Sequence, residues 1–251
     1  MTIDLNADVG ESFGAYRIGS DRELFPFLSS VNIACGWHAG DPSVMERTVR
    51  LALDAGLSLG AHPGYPDIQG FGRRSIAMTP DEVYGAVLYQ IGALAAFAGA
   101  AGSRLGHVKA HGALYNDAAK SAGLADAIAR AAANFDTSLV LVGLPGSELE
   151  KSAGRLGLAF AGEFFADRGY RDDGSLVPRS EPGALIHESS VCVARVLRMV
   201  TEGVVRSVSG AMVPVRAATV CLHGDNAEAL EFARELSRAL VGSGLGIAPV
   251  R

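Results

Sequence analysis

The stretch Ile3-Asp4-Leu5-Asn6-Ala7-Asp8 decides the fold, because it alternates apolar and polar residues as a half-polar strand does and ends in a carboxylate. A parallel α/β barrel gathers the carboxyl ends of its strands at one mouth. Five more short stretches also end in histidine or an acidic residue, whose side chains can act as acids, bases or ligands: 31–38, 57–62, 107–111, 158–163 and 220–225. We therefore expect one pocket lined by Asp8, His38, His62, Lys109, His111, Glu163, His223 and Asp225.

Length and composition favour one domain. The chain has 251 residues, of which 49% are hydrophobic, and a single domain of this length buries roughly three quarters of its unfolded surface. One α/β barrel domain over residues 1–251 is the economical interpretation, although length alone also allows two domains. The net charge of −5 comes from interspersed charges of both signs, which argues against a nucleic-acid partner.

The sequence predicts neither a membrane-spanning segment nor a signal peptide. No apolar stretch reaches the roughly 18 residues that cross a bilayer, and the N-terminus leads directly into a strand. We therefore expect no membrane association and a cytoplasmic protein. The three cysteines match no metal-binding or redox spacing and are expected to be buried, reduced thiols: Cys35, Cys192 and Cys221.

Helical patterns separate the strand-like stretches, which predicts a parallel sheet. A seventh strand, 139–143, is aliphatic, as expected for a strand covered on both faces. The sequence therefore predicts a TIM-like (β/α)7 barrel, with room for an extra hairpin or strand within 204–217. The long glycine-rich loops 63–78 and 164–188 should lie over the mouth. The predicted helices are 43–55, 79–101, 117–133, 146–155, 189–201 and 225–242.

Lys109 is unusual because it lies inside a strand among small and aliphatic residues. Burying a lysine without a partner is costly, so Lys109 should meet an acid such as Asp8 or Glu163, or an anionic ligand. Asn6 lies on the same strand face as Asp8 and should share its surroundings. Because perturbed charges concentrate at functional sites, a functional role is favoured over a purely structural ion pair.

Histidines end four of the strands, and this recurrence favours acid–base chemistry or metal binding over structural roles: His38, His62, His111 and His223. Together with carboxylates they offer ligands that zinc or manganese accepts. Because no HExxH motif or tight metal spacing is present, a divalent metal stays an alternative, with three candidate ligands: Asp8, His62 and His111. His107, in contrast, is expected to be a hydrogen-bonded core or surface residue.

Polar loop residues add candidate substrate contacts. Residues 10–14 match the Gly-x-Ser-x-Gly pattern of a hydrolase nucleophile elbow, but no convincing helix start follows, so Glu11 and Ser12 are interpreted as ligand contacts. The loop arginines are either exposed charges or a clamp on a carboxylate or phosphate: Arg73, Arg168, which follows Asp167, and Arg179. The sequence contains no standard nucleotide-binding glycine loop.

Long motifs throughout the chain resemble the LamB/YcsF family, to which the A subunit of 5-oxoprolinase belongs. They are DLNADVGESFG at 4–14, VNIACGWHAGDP at 31–42, GAHPGYPDIQGFGRR at 60–74, VKAHGALYN at 108–116, EFFADRGYRDDGSLVPR at 163–179 and CLHGDNAEA at 221–229. Ala7 lies where the family commonly has cysteine, which argues that a thiol there is not essential. The resemblance implies a (β/α)7 barrel related to glycoside hydrolases and polysaccharide deacetylases.

The same resemblance implies one component of a prokaryotic, ATP-dependent 5-oxoprolinase, with subunits B and C as partners. The family's reaction opens 5-oxo-L-proline to L-glutamate while ATP is hydrolysed to ADP and phosphate. Because this chain lacks a recognisable nucleotide loop, we expect the partner subunits to use the ATP as co-substrate.

Residue chemistry and the resemblance together suggest roles. The expected catalytic residues include a general base and a lysine that stabilises negative charge: Asp8, His62, Lys109, His111 and Glu163. The expected substrate contacts are Asn6, Glu11, Ser12, His38, Arg73, Asp167, Arg168, Arg179, His223 and Asp225. Two alternatives stay open. One is a metal-dependent N-acyl or carbohydrate deacetylase on the same barrel, and the other is a non-catalytic subunit that only binds the lactam.

Overall fold

Seven parallel strands form a closed barrel in the computed structural model, which describes residues 2–222 and 227–250. In chain order the strands are β1 Thr2–Val9, β2 Ser30–Ala34, β3 Ser58–His62, β4 Leu105–Lys109, β5 Val140–Gly143, β6 Phe160–Phe165, β7 Val204–Arg206, β8 Met212–Pro214, β9 Thr219–Leu222 and β10 Gly246–Ile247. The barrel runs from β1 to β6 and closes because β9 pairs with both β6 and β1. The predicted seven-stranded α/β barrel is confirmed.

Two short additions lie outside the barrel. The strands β7 and β8 form an antiparallel hairpin, as the sequence allowed within 204–217. The two-residue strand β10 pairs beside β1. Neither addition supplies a residue to the mouth cavity described below.

Helices connect the strands and cover the barrel. They are α1 Asp21–Leu24, α2 Pro42–Asp54, α3 Pro80–Ala100, α4 Gly112–Lys120, α5 Ala122–Phe135, α6 Glu148–Leu156, α7 Ser189–Glu202 and α8 Ala227–Gly242, with a short 3-10 turn at Phe25–Phe27. The predicted helix 117–133 is two helices. The break falls at Ser121, whose hydroxyl accepts a hydrogen bond from the backbone N–H of Leu124 and so starts α5. The start of α4 was missed because no side-chain cap marks it.

Helix α3 is long and strongly apolar. Within the described ranges it is the one helix that meets the length and composition criteria for crossing a membrane, a stretch that the sequence-based expectation overlooked. It packs against α2, α5 and β3, and it buries Val87, Ile91 and Leu94 in the core of the barrel protein. Its apolar composition is therefore explained by its position in the helical layer.

Strand β1 shows how the barrel interior is built. Leu5 and Ala7 are fully buried in the hydrophobic core. The alternate residues Asp4 and Asn6 both bond to the Thr219 hydroxyl, which donates to Asp4 and accepts from Asn6 Nδ2. The predicted alternation therefore gives a polar interior surrounded by an apolar layer.

Candidate active site

A cavity of about 730 Å³ opens at the carboxyl ends of the strands. Its wall comes from β1, β3 and β4 and from the loops 63–78 and 164–188, which lie over the mouth as expected. Cavities of this size ordinarily hold small-molecule ligands. Eight of the predicted site residues line it: Asp8, Glu11, His62, Arg73, Lys109, His111, Arg168 and Arg179.

One wall holds a group that we call the lysine cluster: Asn6, Asp8, Lys109 and Glu163. The Lys109 ammonium donates to Asp8 Oδ1 at 2.9 Å and to Cys221 Sγ at 3.1 Å, and it lies 2.7 Å from Glu163 Oε1. Burial alone lowers the pKa of Lys109, but the charge of Asp8 and its neighbours outweighs burial and holds that pKa well above its usual value. The cluster is therefore a protonated lysine between two carboxylates, as the buried position of Lys109 led us to expect.

Two asparagines orient these acids. Asn6 Nδ2 donates to Thr219 Oγ1 at 2.6 Å and to Glu163 Oε1 at 3.3 Å. Asn32 Nδ2 donates to Asn6 Oδ1 at 2.6 Å and to Asp8 Oδ1 at 2.9 Å. Asn32 is absent from the sequence-based candidates, although it is a polar residue between aliphatic neighbours in a strand. The argument that singled out Lys109 would have found Asn32 as well.

A second group, which we call the histidine cluster, adjoins the first and consists of Glu11, His38, His62 and His111. One donor atom from each residue lies within 4.8 Å of the others, so the group is a candidate metal centre. The sequence predicts Asp8 as a metal ligand and Glu11 and His38 as substrate contacts. In the structure Glu11 and His38 complete the four donors, while Asp8 Oδ2 lies beside them, 3.2 Å from His62 Nε2.

Backbone carbonyls fix the orientation of two imidazoles. His62 Nδ1 donates to the carbonyl of Lys109 at 2.8 Å, and His111 Nε2 donates to the carbonyl of Phe71 at 2.9 Å. His111 Nδ1 consequently faces His62 Nε2 at 3.0 Å. The ring of His38 stacks parallel to that of His111, with centroids 3.8 Å apart.

Burial dominates the electrostatics of the histidine cluster. It lowers the pKa of His38 well below the usual value, with His62 adding to the effect. It lowers the pKa of His111 likewise, with His38 adding to it. Burial also raises the pKa of Glu11, and the nearby carboxylate of Asp8 raises it further. His38 and His111 are therefore neutral imidazoles, the form that serves as a base or a metal ligand.

Glycines let the loop 63–78 approach the histidines closely. A Cβ atom on Gly64 would lie 2.7 Å from His38 Nδ1, and one on Gly72 would lie 2.7 Å from His38 Cβ and 2.8 Å from His111 Cδ2. Among the described residues, Phe71 is the non-glycine residue with a positive φ, at 54°, and its ring packs edge-on against both imidazoles. The loop is thus shaped around the histidine cluster.

The three arginines differ in their contacts. Arg168 is buried and donates to two backbone carbonyls of its own loop, so it braces the loop 164–188. The guanidinium of Arg73 lies 5.0 Å from the centroid of the Phe71 ring, and Arg179 lines the cavity. Arg73 and Arg179 are exposed at the cavity, whereas Arg168 is buried, so the first two are more accessible to an anion from solution.

Other predicted contacts lie away from the cavity lining or outside the described residues. The Ser12 hydroxyl accepts a hydrogen bond from the Ile18 backbone at 3.1 Å and ties down its loop, and no helix directly follows the Gly-x-Ser-x-Gly segment. Asp167 precedes Arg168 but does not line the cavity. His223 and Asp225 lie outside the described residues, so their roles stay predictions.

The three cysteines are free thiols and are buried, as predicted. Burial raises the pKa of Cys35 to about 12 and that of Cys192 to about 11. Burial also raises the pKa of Cys221, whose sulfur contacts Lys109. None has the lowered pKa of a reactive cysteine.

Comparisons with known proteins match this architecture. The model of the LamB/YcsF family matches residues 3–251. The A subunit of 5-oxoprolinase from Geobacillus kaustophilus is 56% identical over 246 residues, which cover 98% of this chain and 96% of that relative. The crystal structure of the lactam utilization protein from Thermus thermophilus has a TM-score of 0.95 at 49% identity and 100% coverage of both chains. A family 4 carbohydrate esterase from Streptomyces lividans shares the fold, with a TM-score of 0.53 at 15% identity over 100% of this chain and 93% of that one.

Proposed function

This chain belongs to the LamB/YcsF family, and on that premise we propose that it is the A subunit of an ATP-dependent 5-oxoprolinase. The enzyme would hydrolyse the lactam of 5-oxo-L-proline to L-glutamate. The observation that carries the proposal is the lysine cluster, in which Lys109 lies between Asp8 and Glu163 beside the cavity. The names of two relatives, one from a 5-oxoprolinase and one a lactam utilization protein, support the same reaction. We expect one barrel domain that acts in the cytoplasm.

The chemistry explains why ATP is needed. A lactam is a resonance-stabilised amide, so its carbonyl carbon resists attack by water. Transfer of a phosphoryl group from ATP to the lactam oxygen makes that carbon electrophilic and releases ADP. Water then adds to the carbon, and the C–N bond breaks as the ring nitrogen takes up a proton. A second water displaces phosphate from the resulting acyl phosphate and leaves the carboxylate of glutamate.

The sequence supports a different catalytic step for this chain than for its partner subunits. This chain carries no standard nucleotide-binding glycine loop, so subunits B and C would perform the phosphoryl transfer. The barrel would receive the activated lactam in its cavity and open the ring. A cavity of about 730 Å³ accommodates so small a ligand.

Within the cavity, Asp8 is the best general base. It lines the cavity and contacts both Lys109 and His62, whereas Glu163 is fully buried behind it. Lys109 would stabilise the negative charge of the phosphoryl group on the attacked carbon's oxygen. The rim arginines Arg73 and Arg179 would bind the substrate carboxylate.

The second candidate is a metal-dependent N-acyl or carbohydrate deacetylase. The four clustered donors of Glu11, His38, His62 and His111 favour it. This function predicts release of an acyl group without ATP and without partner subunits, whereas the proposed 5-oxoprolinase requires both.

Glutamate release from 5-oxo-L-proline and ATP tests the proposal. We expect activity with this chain plus subunits B and C, and none with this chain alone or with B and C alone. Replacing Asp8 with Asn should lower kcat by about 100- to 10,000-fold, because a general base contributes that much. The matched control is Asp81→Asn, since the Asp81 side chain is 93% exposed.

Two results would contradict this assignment. Glutamate formation by B and C alone would remove the need for this chain. Full activity of the complex with Asp8→Asn, at unchanged substrate binding, would favour a subunit that only binds the lactam.

A further inference from the structure

Two imidazoles of the histidine cluster face each other through the ring nitrogens that are not bonded to carbonyls. A carbonyl oxygen only accepts hydrogen bonds, so His62 Nδ1 and His111 Nε2, which contact carbonyls at 2.8 and 2.9 Å, must both be donors. In neutral rings the remaining nitrogens, His62 Nε2 and His111 Nδ1, then have bare lone pairs, yet they lie 3.0 Å apart. Two acceptors this close repel each other unless a proton or a metal ion lies between them.

Carboxylate oxygens surround the same lone pairs. Glu11 Oε1 lies 3.5 Å from His38 Nε2 and 3.6 Å from His111 Nδ1, which is longer than the hydrogen-bond range of about 2.7–3.2 Å. Asp8 Oδ2 lies 3.2 Å from His62 Nε2. None of these contacts places a cation between the facing nitrogens, although the charge of Arg73, outside the cluster, acts on Glu11 and His38.

The spacing of the donor atoms fits a single ion. Zinc with four ligands at about 2.0–2.1 Å separates neighbouring ligand atoms by about 3.3 Å. The separations among His62 Nε2, His111 Nδ1, His38 Nε2 and Glu11 Oε1 include 3.0, 3.5 and 3.6 Å. In addition, the carbonyls that hold His62 and His111 are the outer contacts that orient metal-binding histidines.

His38 provides an independent observation. It is 1% exposed, and neither of its ring nitrogens has a hydrogen-bond partner among the described residues. A buried polar group left in this state is costly. The close approach of Gly64 and Gly72 packs the ring against His111. A cation bound at Nε2 would give this nitrogen a partner.

We propose that Glu11, His38, His62 and His111 bind one divalent transition-metal ion, with zinc as the best match. Three imidazole nitrogens and one carboxylate oxygen suit zinc and its neighbours, whereas magnesium and calcium prefer oxygen ligands. Binding is a property of this chain alone and holds whichever reaction the barrel catalyses.

Metal content is the direct test. The untagged full chain is stripped with a chelator, incubated with excess Zn²⁺, passed through gel filtration and analysed by mass spectrometry for bound metal. We expect one zinc per chain and a rise in the thermal unfolding midpoint on zinc addition, since a ligand that binds the folded state stabilises it. Less than a tenth of an equivalent, with no change in the midpoint, would overturn the proposal.

Variants locate the ion. His38→Gln and Glu11→Gln should each reduce bound zinc at least tenfold, while the exposed residues His187 and Glu46 provide the matched controls His187→Gln and Glu46→Gln, which should keep one equivalent. Far-ultraviolet circular dichroism shows whether each variant folds. Retention of a full equivalent by folded His38→Gln would exclude this site.

X-ray absorption on the unmodified zinc-loaded chain decides the matter even if the variants fail to fold. We expect scattering from three imidazoles and one oxygen ligand without sulfur. Fewer imidazoles, or a sulfur ligand from one of the cysteines, would overturn the assignment.

Discussion

The lysine cluster and the histidine cluster lie side by side at one mouth, but they differ in how their charges are balanced. Lys109 contacts two carboxylates and a thiol supplied by the chain itself. In the histidine cluster, His62 and His111 turn ring nitrogens toward each other with no cation between them, and His38 has no hydrogen-bond partner among the described residues. The comparison teaches that folding alone completes the first group, whereas the second needs an added cation.

The largest expected effect comes from removing the ammonium group of Lys109. Lys109→Met would leave the buried Glu163 and the half-buried Asp8 without their shared counter-charge. It should lower the free energy of unfolding by about 3–5 kcal/mol and abolish ring opening in the complex. Urea denaturation and the glutamate assay measure the two effects.

An exposed ion pair provides the control for this change. Lys151→Met removes a pair with Glu148 in which the lysine side chain is 58% exposed, so the cost should stay below about 1 kcal/mol. If Lys109→Met is no more destabilising than Lys151→Met, the lysine cluster does not hold a buried ion pair.

The next largest effect should fall on the histidine cluster. Gly72→Ala places a methyl group 2.7 Å from His38 Cβ at a residue with φ of +61°. We expect a loss of about 2–4 kcal/mol in the free energy of unfolding, together with loss of bound zinc. Gly102→Ala is the control, because Gly102 has φ of +75° and no neighbour within 4 Å. Gly102→Ala should lower the free energy of unfolding by about 1–2 kcal/mol and should still bind zinc. Equal loss of zinc in both variants would contradict the conclusion that Gly72 lets the loop 63–78 pack against the histidine cluster.

A smaller effect concerns the loop that brings Glu11 to the histidine cluster. Asp21 Oδ2 accepts a hydrogen bond from the Gly10 N–H at 2.8 Å, and burial raises the pKa of Asp21 to about 6 despite that bond. The pKa of Asp21 in the folded chain exceeds its unfolded value of 3.8. Protonated Asp21 therefore stabilises the folded state below pH 3.8, and this stabilisation is lost as pH rises through about 6.

The comparison of Asp21→Asn with the unmodified chain isolates this titration. The unmodified chain should have a higher free energy of unfolding than Asp21→Asn at pH 4, and this difference should fall by about 1–2 kcal/mol by pH 7. The full pKa shift would correspond to about 3 kcal/mol, and we expect less because Asp21 is not fully buried. Urea denaturation with a chelator present measures it. A difference independent of pH would show that Asp21 keeps an ordinary pKa.

The smallest effect concerns the reactivity of the thiols. Cys35 and Cys221 are buried and their pKa values are raised, so the native chain should react with less than a tenth of an equivalent of a thiol reagent. After unfolding in guanidinium, three equivalents should react, one for each cysteine of the sequence. Rapid labelling of native Cys35 would contradict this prediction and identify a reactive thiol.

The sequence predicted the barrel because β1 alternates apolar and polar residues, β5 is aliphatic, and polar residues recur at the ends of the strand-like stretches. Those features depend on the spacing of residues along the chain, so they can be recognised from the sequence alone. The break between α4 and α5 was missed because one serine cap interrupts an otherwise continuous helical pattern. The mouth residues Asp8, His62, Lys109 and His111 were found by the same strand-end logic.

The pairing of those residues was only partly predictable. That Lys109 needs an acid follows from the cost of burying charge, but the choice of both Asp8 and Glu163 depends on barrel curvature. The place of Glu11 among the metal donors depends on a loop conformation that strand periodicity does not encode. The bracing role of Arg168 was missed for the same reason, because its acceptors are backbone carbonyls.

Phe71 connects the rim of the cavity to its chemistry. Its carbonyl accepts from His111, its ring touches His38 and His111, and Arg73 stacks over the same ring. A carboxylate that draws Arg73 inward would therefore press on both imidazoles through one side chain. Binding at the entrance would in this way be coupled to the orientation of the two imidazoles by direct side-chain contact.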